Sequence, residues 1–153
     1  MSFVVSAGPI NPASLKRLVQ ERASGACVLF EGWVRDHNEG REVLRLEYEV
    51  YEPLAEREGR RIIAEAAARF GPLRAACAHR KGPLELGDLA VAVAVSTAHR
   101  DEAFRACRYI IDELKRRLPI WKKEHYADGT AQWVNCRHGA DHAPGAAHPV
   151  SGA

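Results

Sequence analysis

The sequence predicts a mixed α+β domain rather than a doubly wound sheet, and three observations carry the prediction. Apolar residues recur at helical spacing in three segments. Alternating or strand-forming runs fill most of the intervals between them, and the two kinds do not follow strict strand–helix–strand order. At 153 residues the chain is one domain long, enough to bury roughly 68–70% of the surface its unfolded form would expose. A hydrophobic share of 46% with 27% charged residues is that of a folded globular protein and excludes wholesale disorder.

Each element has a local reason. Asn11-Pro12 reads as an N-cap with proline at the first helical position, opening a short helix to about Arg22. GACVLFEGWVR (25–35) is rich in strand formers, and DHNEG (36–40) supplies turn residues that tolerate left-handed backbone. In REVLRLEYEVY (41–51), Leu44, Leu46, Tyr48 and Val50 face one way and Arg45, Glu47, Glu49 and Tyr51 the other, with Val43 out of register. Segments 25–35 and 41–51 are therefore expected to form a long hairpin. Pro53 opens a second helix that runs through an alanine-rich half to Phe70. Strands follow at about 73–80 and 89–97, joined by a turn around KGPLELGD (81–88). A third helix over 100–117 places Phe104, Cys107, Ile110, Ile111, Leu114 and Leu118 at helical spacing, and Pro119 stops it. IWKKEHY, the turn ADGTA and QWVNC predict a final hairpin. Residues 1–137 are read as a single domain and the Gly/Ala/Pro/His stretch 138–153 as a flexible tail.

Composition narrows the class. The longest apolar run, LAVAVAV at 89–95, is far short of the ~18–20 residues of a membrane helix. No charged start precedes an apolar stretch, so no leader is expected and the protein is read as soluble and cytoplasmic. Cys27, Cys77, Cys107 and Cys136 are scattered without a CxxC pair, which removes support for zinc ribbons and thioredoxin-type motifs. His138 and His142 have metal-compatible spacing only on a helix, which the surrounding Gly and Pro oppose, so no metal site is expected. Net charge is only +2, but residues 99–123 hold eight basic side chains against four acidic ones. Such a local excess points to an anionic ligand.

Several residues have the chemistry for that ligand. Arg35 closes a strand and opens a loop, where it either forks onto a phosphate or carboxylate or is simply solvated. His99-Arg100 begins the third helix, adding cationic side chains to the N–H groups and positive dipole of a helix start. His79-Arg80 ends a strand without a helix behind it and reads as structural or as a weaker phosphate contact. Lys115 and Lys122 are separated by Pro119, so the chain must turn between them and both amines can converge on one pocket. Clustered ammonium groups, partly desolvated, lower one another's pKa and supply an amine for acid/base or nucleophilic work. The plain alternative, basic residues complementing a helix C-terminus, accounts for Lys115, Arg116 and Arg117 but not for Lys122 and Lys123. Trp33, Trp121 and Trp133 flank these cations, with the core as their expected place.

In this order, FEGWVRDHNEG with LEYEVYEPLA, HRKGPLELGD, VSTAHRDEAF, IIDELKRRLPIWKKE and DGTAQWV resemble the large, catalytic subunit of molybdopterin synthase over about residues 25–137. GWVRDHNEG and LKRRLPIWKKE are the most specific blocks. The resemblance implies an α/β-hammerhead-like domain with an additional small antiparallel sheet. It also implies a sulfurtransferase of molybdenum cofactor biosynthesis that acts without a cofactor of its own. The substrate would be cyclic pyranopterin monophosphate, and the sulfur would come from the C-terminal Gly-Gly thiocarboxylate of a small ubiquitin-like partner. The large subunit would be a homodimer, giving a heterotetramer, with neither nucleic acid nor membrane as a partner. Carried over by residue, the resemblance implies substrate contacts at Trp33, Val34, Arg35, His99, Arg100, Lys115, Lys122, Lys123 and Glu124. Arg137 would reach across the dimer, and Lys115 and Lys122 would be catalytic. Leu54 stands where the pattern expects methionine, a nearly volume-conserving change. Two other classes use the same basic stripe: a non-catalytic phosphate- or nucleic-acid-binding module, which usually runs more basic than a pI near 8.4, and a phosphoesterase, for which no paired nucleophile is evident.

Overall fold

A computed structural model describes residues 1–135. Arg137, Cys136, His138, His142 and the expected tail 138–153 lie outside the described residues. In chain order the elements are β1 (Ser2–Ser6), α1 (Pro12–Val19), β2 (Ala26–Trp33), β3 (His37–Asn38), β4 (Arg41–Val50) and α2 (Glu52–Phe70). β5 (Arg74–Arg80), β6 (Gly82–Glu85), β7 (Leu89–Thr97), α3 (Arg100–Arg117), β8 (Ile120–Tyr126) and β9 (Ala131–Asn135) complete them. The helices begin and end where the sequence supplies signals. The Asn11 side chain accepts from the Ala13 N–H at 3.0 Å with Pro12 in the first turn, and Pro53 occupies the first turn of α2. α1 is shorter than expected because Gln20 is already extended.

The first sheet has the order β1-β5-β7-β2 and is covered on both faces. Its central strand, β7, reads LAVAVAV because each face wants a different size. Val91, Val93 and Val95 enter the main core with Ile62, Ile63 and Ile110 from α2 and α3. Ala92 and Ala94 pack with Ala76, Ala78, Leu15 and Val19 beneath α1. Gly59 lets α2 lie directly on β1, since a Cβ there would stand 2.3 Å from Cγ of Phe3. β1 was not expected from the sequence. It is five residues long and pairs in parallel with β5, more than seventy positions away, so no neighbouring turn announces it.

The second sheet is centred on β4, which pairs with β3, β6 and β8, with β9 outside β8. The long hairpin expected from 25–35 and 41–51 does not form. β2 pairs with β7 and β4 with β8, so the two segments belong to different sheets. The chain leaves the first sheet at Val34, whose N–H and carbonyl are taken by Asp88 and Gly87, at 2.9 and 2.7 Å. The DHNEG turn then closes only the two-residue β3 onto β4. The expected register of β4 also needs correction near its start. A bulge between Val43 and Arg45 leaves Leu44 exposed and turns Val43 inward, after which Leu46 and Tyr48 face the core as expected. Part of the expected 81–88 turn is the short strand β6. The β5–β7 and β8–β9 pairings are antiparallel, as read from the sequence. Among the described residues, no helix is long and apolar enough to cross a membrane.

Candidate active site

A cleft of about 860 Å³ opens between α3, the end of β2, the 34–38 link, β4 and β8. Its α3 wall is a stripe at helical steps: Phe104, Cys107, Arg108, Ile111, Asp112 and Lys115. The β8 wall follows from strand alternation. Ile120, Lys122, Glu124 and Tyr126 share a face, with Lys122 opposite Tyr48 and Glu124 opposite Leu46 across the ladder. Leu118 is extended and Pro119 cannot continue the helix, so the chain reverses between Lys115 and Lys122 and both side chains line the one cleft.

Arg35 enters the same cleft from the link after β2, beside Trp33 and Val34. Trp33 is 67% exposed, so the expectation of a core position fails. It sits with the exposed Phe104 among the residues lining the cleft. The Val34 side chain is buried, and its backbone is committed to the 87–88 turn. Glu124 is only 2% exposed and accepts a 2.7 Å hydrogen bond from Asn38 Nδ2, whose Oδ1 accepts from Arg35 at 3.3 Å.

Four cations and two carboxylates line the cleft, and Arg108 pairs with Asp112 at 2.8 Å on its outer edge. Much of the basic excess on α3 is likewise engaged. Arg105 pairs with Asp101, Arg116 with Glu113, and Arg117 bridges to Glu58 and Glu65 of α2. Arg35, Lys115 and Lys122 line the cleft together with the buried Glu124. The hydrogen bonds from Arg117, with a smaller one from Tyr109, hold the Glu65 carboxyl below its usual range.

Behind Lys115 lies His79, enclosed with it around a small internal void that Ile111, Leu114 and Ile120 also line. Its Nδ1–H donates to the Arg80 carbonyl at 2.7 Å, and its ring meets Tyr48 edge-on at 4.9 Å. Burial, joined by the Lys115 charge, lowers its pKa to about 4 against the opposing hydrogen bond to Arg80. His79 is thus a neutral structural ring, the first of the two readings given to it. Burial likewise pushes the Cys107 thiol up to about 11, so the cleft floor presents a thiol and not a thiolate. Among the described residues no group of three or more His, Cys, Asp or Glu is placed to hold a metal.

The other carried-over residues are placed differently. Lys123 faces away from the cleft, beside Glu47, with its ammonium 5.7 Å from the Trp133 ring centroid. His99 is the exposed N-cap of α3 and Arg100 its first residue, neither on the cleft wall. Lys115 lies fifteen positions after Arg100 on the helix, a rise of about 22 Å. Asn38, Phe104, Arg108 and Asp112 were not picked out as site residues. For the last three the signal was present, since they lie eleven, seven and three positions before Lys115 on one helix.

The profile of the MoaE protein family matches residues 5–117. The chain belongs to the MoaE family. A Nostoc sp. relative named molybdopterin synthase catalytic subunit is 42% identical over 135 residues, 88% of this chain and 82% of the relative. The crystal structure of molybdopterin synthase from Staphylococcus aureus superposes with a TM-score of 0.80 at 37% identity, covering 87% of this chain and 95% of that one. A complex of subunits 1 and 2 of molybdopterin-converting factor from Helicobacter pylori shares the fold, with a TM-score of 0.67 at 22% identity over 82% of this chain and 86% of that one. The MoaE chain described here is therefore a catalytic-subunit type, an enzyme of molybdenum cofactor biosynthesis.

Proposed function

We propose that this MoaE cleft carries sulfur from the C-terminal thiocarboxylate of a small ubiquitin-like subunit onto cyclic pyranopterin monophosphate, forming the dithiolene of molybdopterin. The observation that carries the proposal is the convergence of Arg35, Lys115 and Lys122 in one cleft from three separate segments. A phosphate-bearing heterocycle needs cations, a flat apolar wall and an acid or base near the reacting carbon. Arg35 serves the phosphate, and its charge stabilises the bridging phosphate oxygen as sulfur displaces it. Lys115, at the inner end of the α3 wall, works at the thiocarboxylate carbonyl as an acid/base group or as an amine that traps the acyl carbon. Lys122 orients the pterin and assists proton transfer, with Glu124 beside it on β8. Trp33 and Phe104 supply aromatic surface at the cleft.

The small partner's C-terminal tail enters this cleft, in keeping with the two-subunit complex of the Helicobacter relative. A homodimer of this chain completes the assembly as a heterotetramer, Arg137 reaching the site from the second copy. His99 and Arg100 lie too far along α3 to touch the same small molecule as Lys115 within one chain, and Lys123 faces the other side of β8.

The test mixes the protein with the thiocarboxylated partner and cyclic pyranopterin monophosphate and assays dithiolene. A partner ending in an ordinary carboxylate is the control. Product only with the thiocarboxylate is expected. Absence of product, with partner bound and substrate intact, would return the cleft to a non-catalytic phosphate site.

A further inference from the structure

Asn38 stands between two groups of opposite charge. Its Nδ2 donates to the buried Glu124 carboxylate at 2.7 Å, and its Oδ1 accepts from the exposed Arg35 guanidinium at 3.3 Å. The backbone holds the amide there. Glu39 and Gly40 have φ of 49° and 77°, so they form a tight two-residue turn with Asn38 paired to Arg41. Strand alternation then sends His37 to solvent and Asn38 into the cleft lining.

We propose that Asn38 is a positioning residue that keeps the Arg35 guanidinium presented to an incoming phosphate and apart from Glu124. The proposal rests on the reading of the cleft as a phosphate-bearing substrate site. A primary amide suits this place because it offers a donor to the anion and an acceptor to the cation while carrying no charge. Without it, a mobile guanidinium and a poorly hydrated carboxylate attract one another, and a forked arginine–carboxylate pair is among the strongest contacts available. An arginine engaged in that way is lost to the phosphate. An aspartate at 38 fails for a related reason: it repels Glu124 and itself binds Arg35.

The experiment compares wild type, Asn38→Ala, Asn38→Asp and the double variant Asn38→Asp/Glu124→Gln. It measures steady-state kinetics with the thiocarboxylated partner, competition by inorganic phosphate, and melting temperature. Asn38→Ala is expected to raise KM for the pterin phosphate about tenfold and weaken phosphate competition to a similar degree, with kcat changed less than about threefold. Asn38→Asp is expected to be worse on both counts. The double variant restores an amide–carboxylate hydrogen bond with donor and acceptor exchanged, so its melting temperature recovers while its KM stays high. Wild-type KM in Asn38→Ala would overturn the proposal. So would recovery of KM along with melting temperature in the double variant, because Asn38 would then only hold the fold. If wild type forms no dithiolene, the reading of the cleft fails; direct phosphate titration of wild type and Asn38→Ala then decides Asn38 alone, equal affinities counting against it.

Discussion

The two sheets of this fold use their inward faces differently. In the β1-β5-β7-β2 sheet, eight of the nine residues of β7 are buried, and six of them, Ala90 to Val95, are apolar, with the polar Ser96 and Thr97 only at the strand's end. In the second sheet, the inward face of β8 reads Ile120, Lys122, Glu124, Tyr126, so a lysine and a glutamate occupy positions that the strand period assigns to the core. The first sheet is built for stability, and the second gives up apolar burial to line the cleft with charge. A break in a period-two pattern by Lys and Glu is a sign of a site, since burying such groups costs stability that only function returns.

This division can be broken by experiment. The largest expected effect is on the first region: Ile110 is fully buried, and Ile110→Ala should lower unfolding free energy by roughly 2–5 kcal/mol in urea titration. At a temperature where the variant remains folded, its kcat should stay close to wild type. Next comes His79, where the two regions meet. Its pKa is about 4 in the fold against an ordinary 6.5, so the unfolded chain takes up the proton first as pH falls. Its contribution is complete above about pH 6.5 and is lost progressively toward pH 4, on the order of 3 kcal/mol. Melting curves across that range should show a slope that His79→Gln largely removes.

On the cleft side, Lys122→Ala should cut kcat/KM about a hundredfold, with a melting temperature near wild type. A matching loss of stability would show that the sheet needs this residue as much as the chemistry does. The smallest effect is the control. Arg105 pairs with Asp101 on the exposed face of α3, and Arg105→Ala should change stability by less than about 0.5 kcal/mol and leave kinetics alone.

The sequence disclosed the helices well because their ends carry chemistry: Asn11-Pro12, Pro53 and Pro119 each mark a boundary the structure keeps. Strand partners were less legible. Neighbouring segments 25–35 and 41–51 looked like a hairpin, yet pairing is decided by tertiary burial, and Val34 carries the chain from one sheet to the other. The bulge at Leu44 moved one side chain outward in a strand whose alternation otherwise held. For the cleft, the break at Pro119 was enough to anticipate that Lys115 and Lys122 line one cleft. Asn38 was hidden because asparagine in a DHNEG turn has an ordinary local explanation, and only the fold brings Glu124 to it across 86 positions.

The separation of the proposed catalysis in the cationic cleft from stability in the core is the decisive point. It is tested most directly by Lys115→Ala in the reconstituted assay, with partner binding and melting temperature followed in the same samples. Dithiolene formation is expected to fall by at least about a hundredfold while the variant still binds the small subunit and melts within a few degrees of wild type. A Lys115→Ala protein that makes dithiolene at the wild-type rate would contradict it.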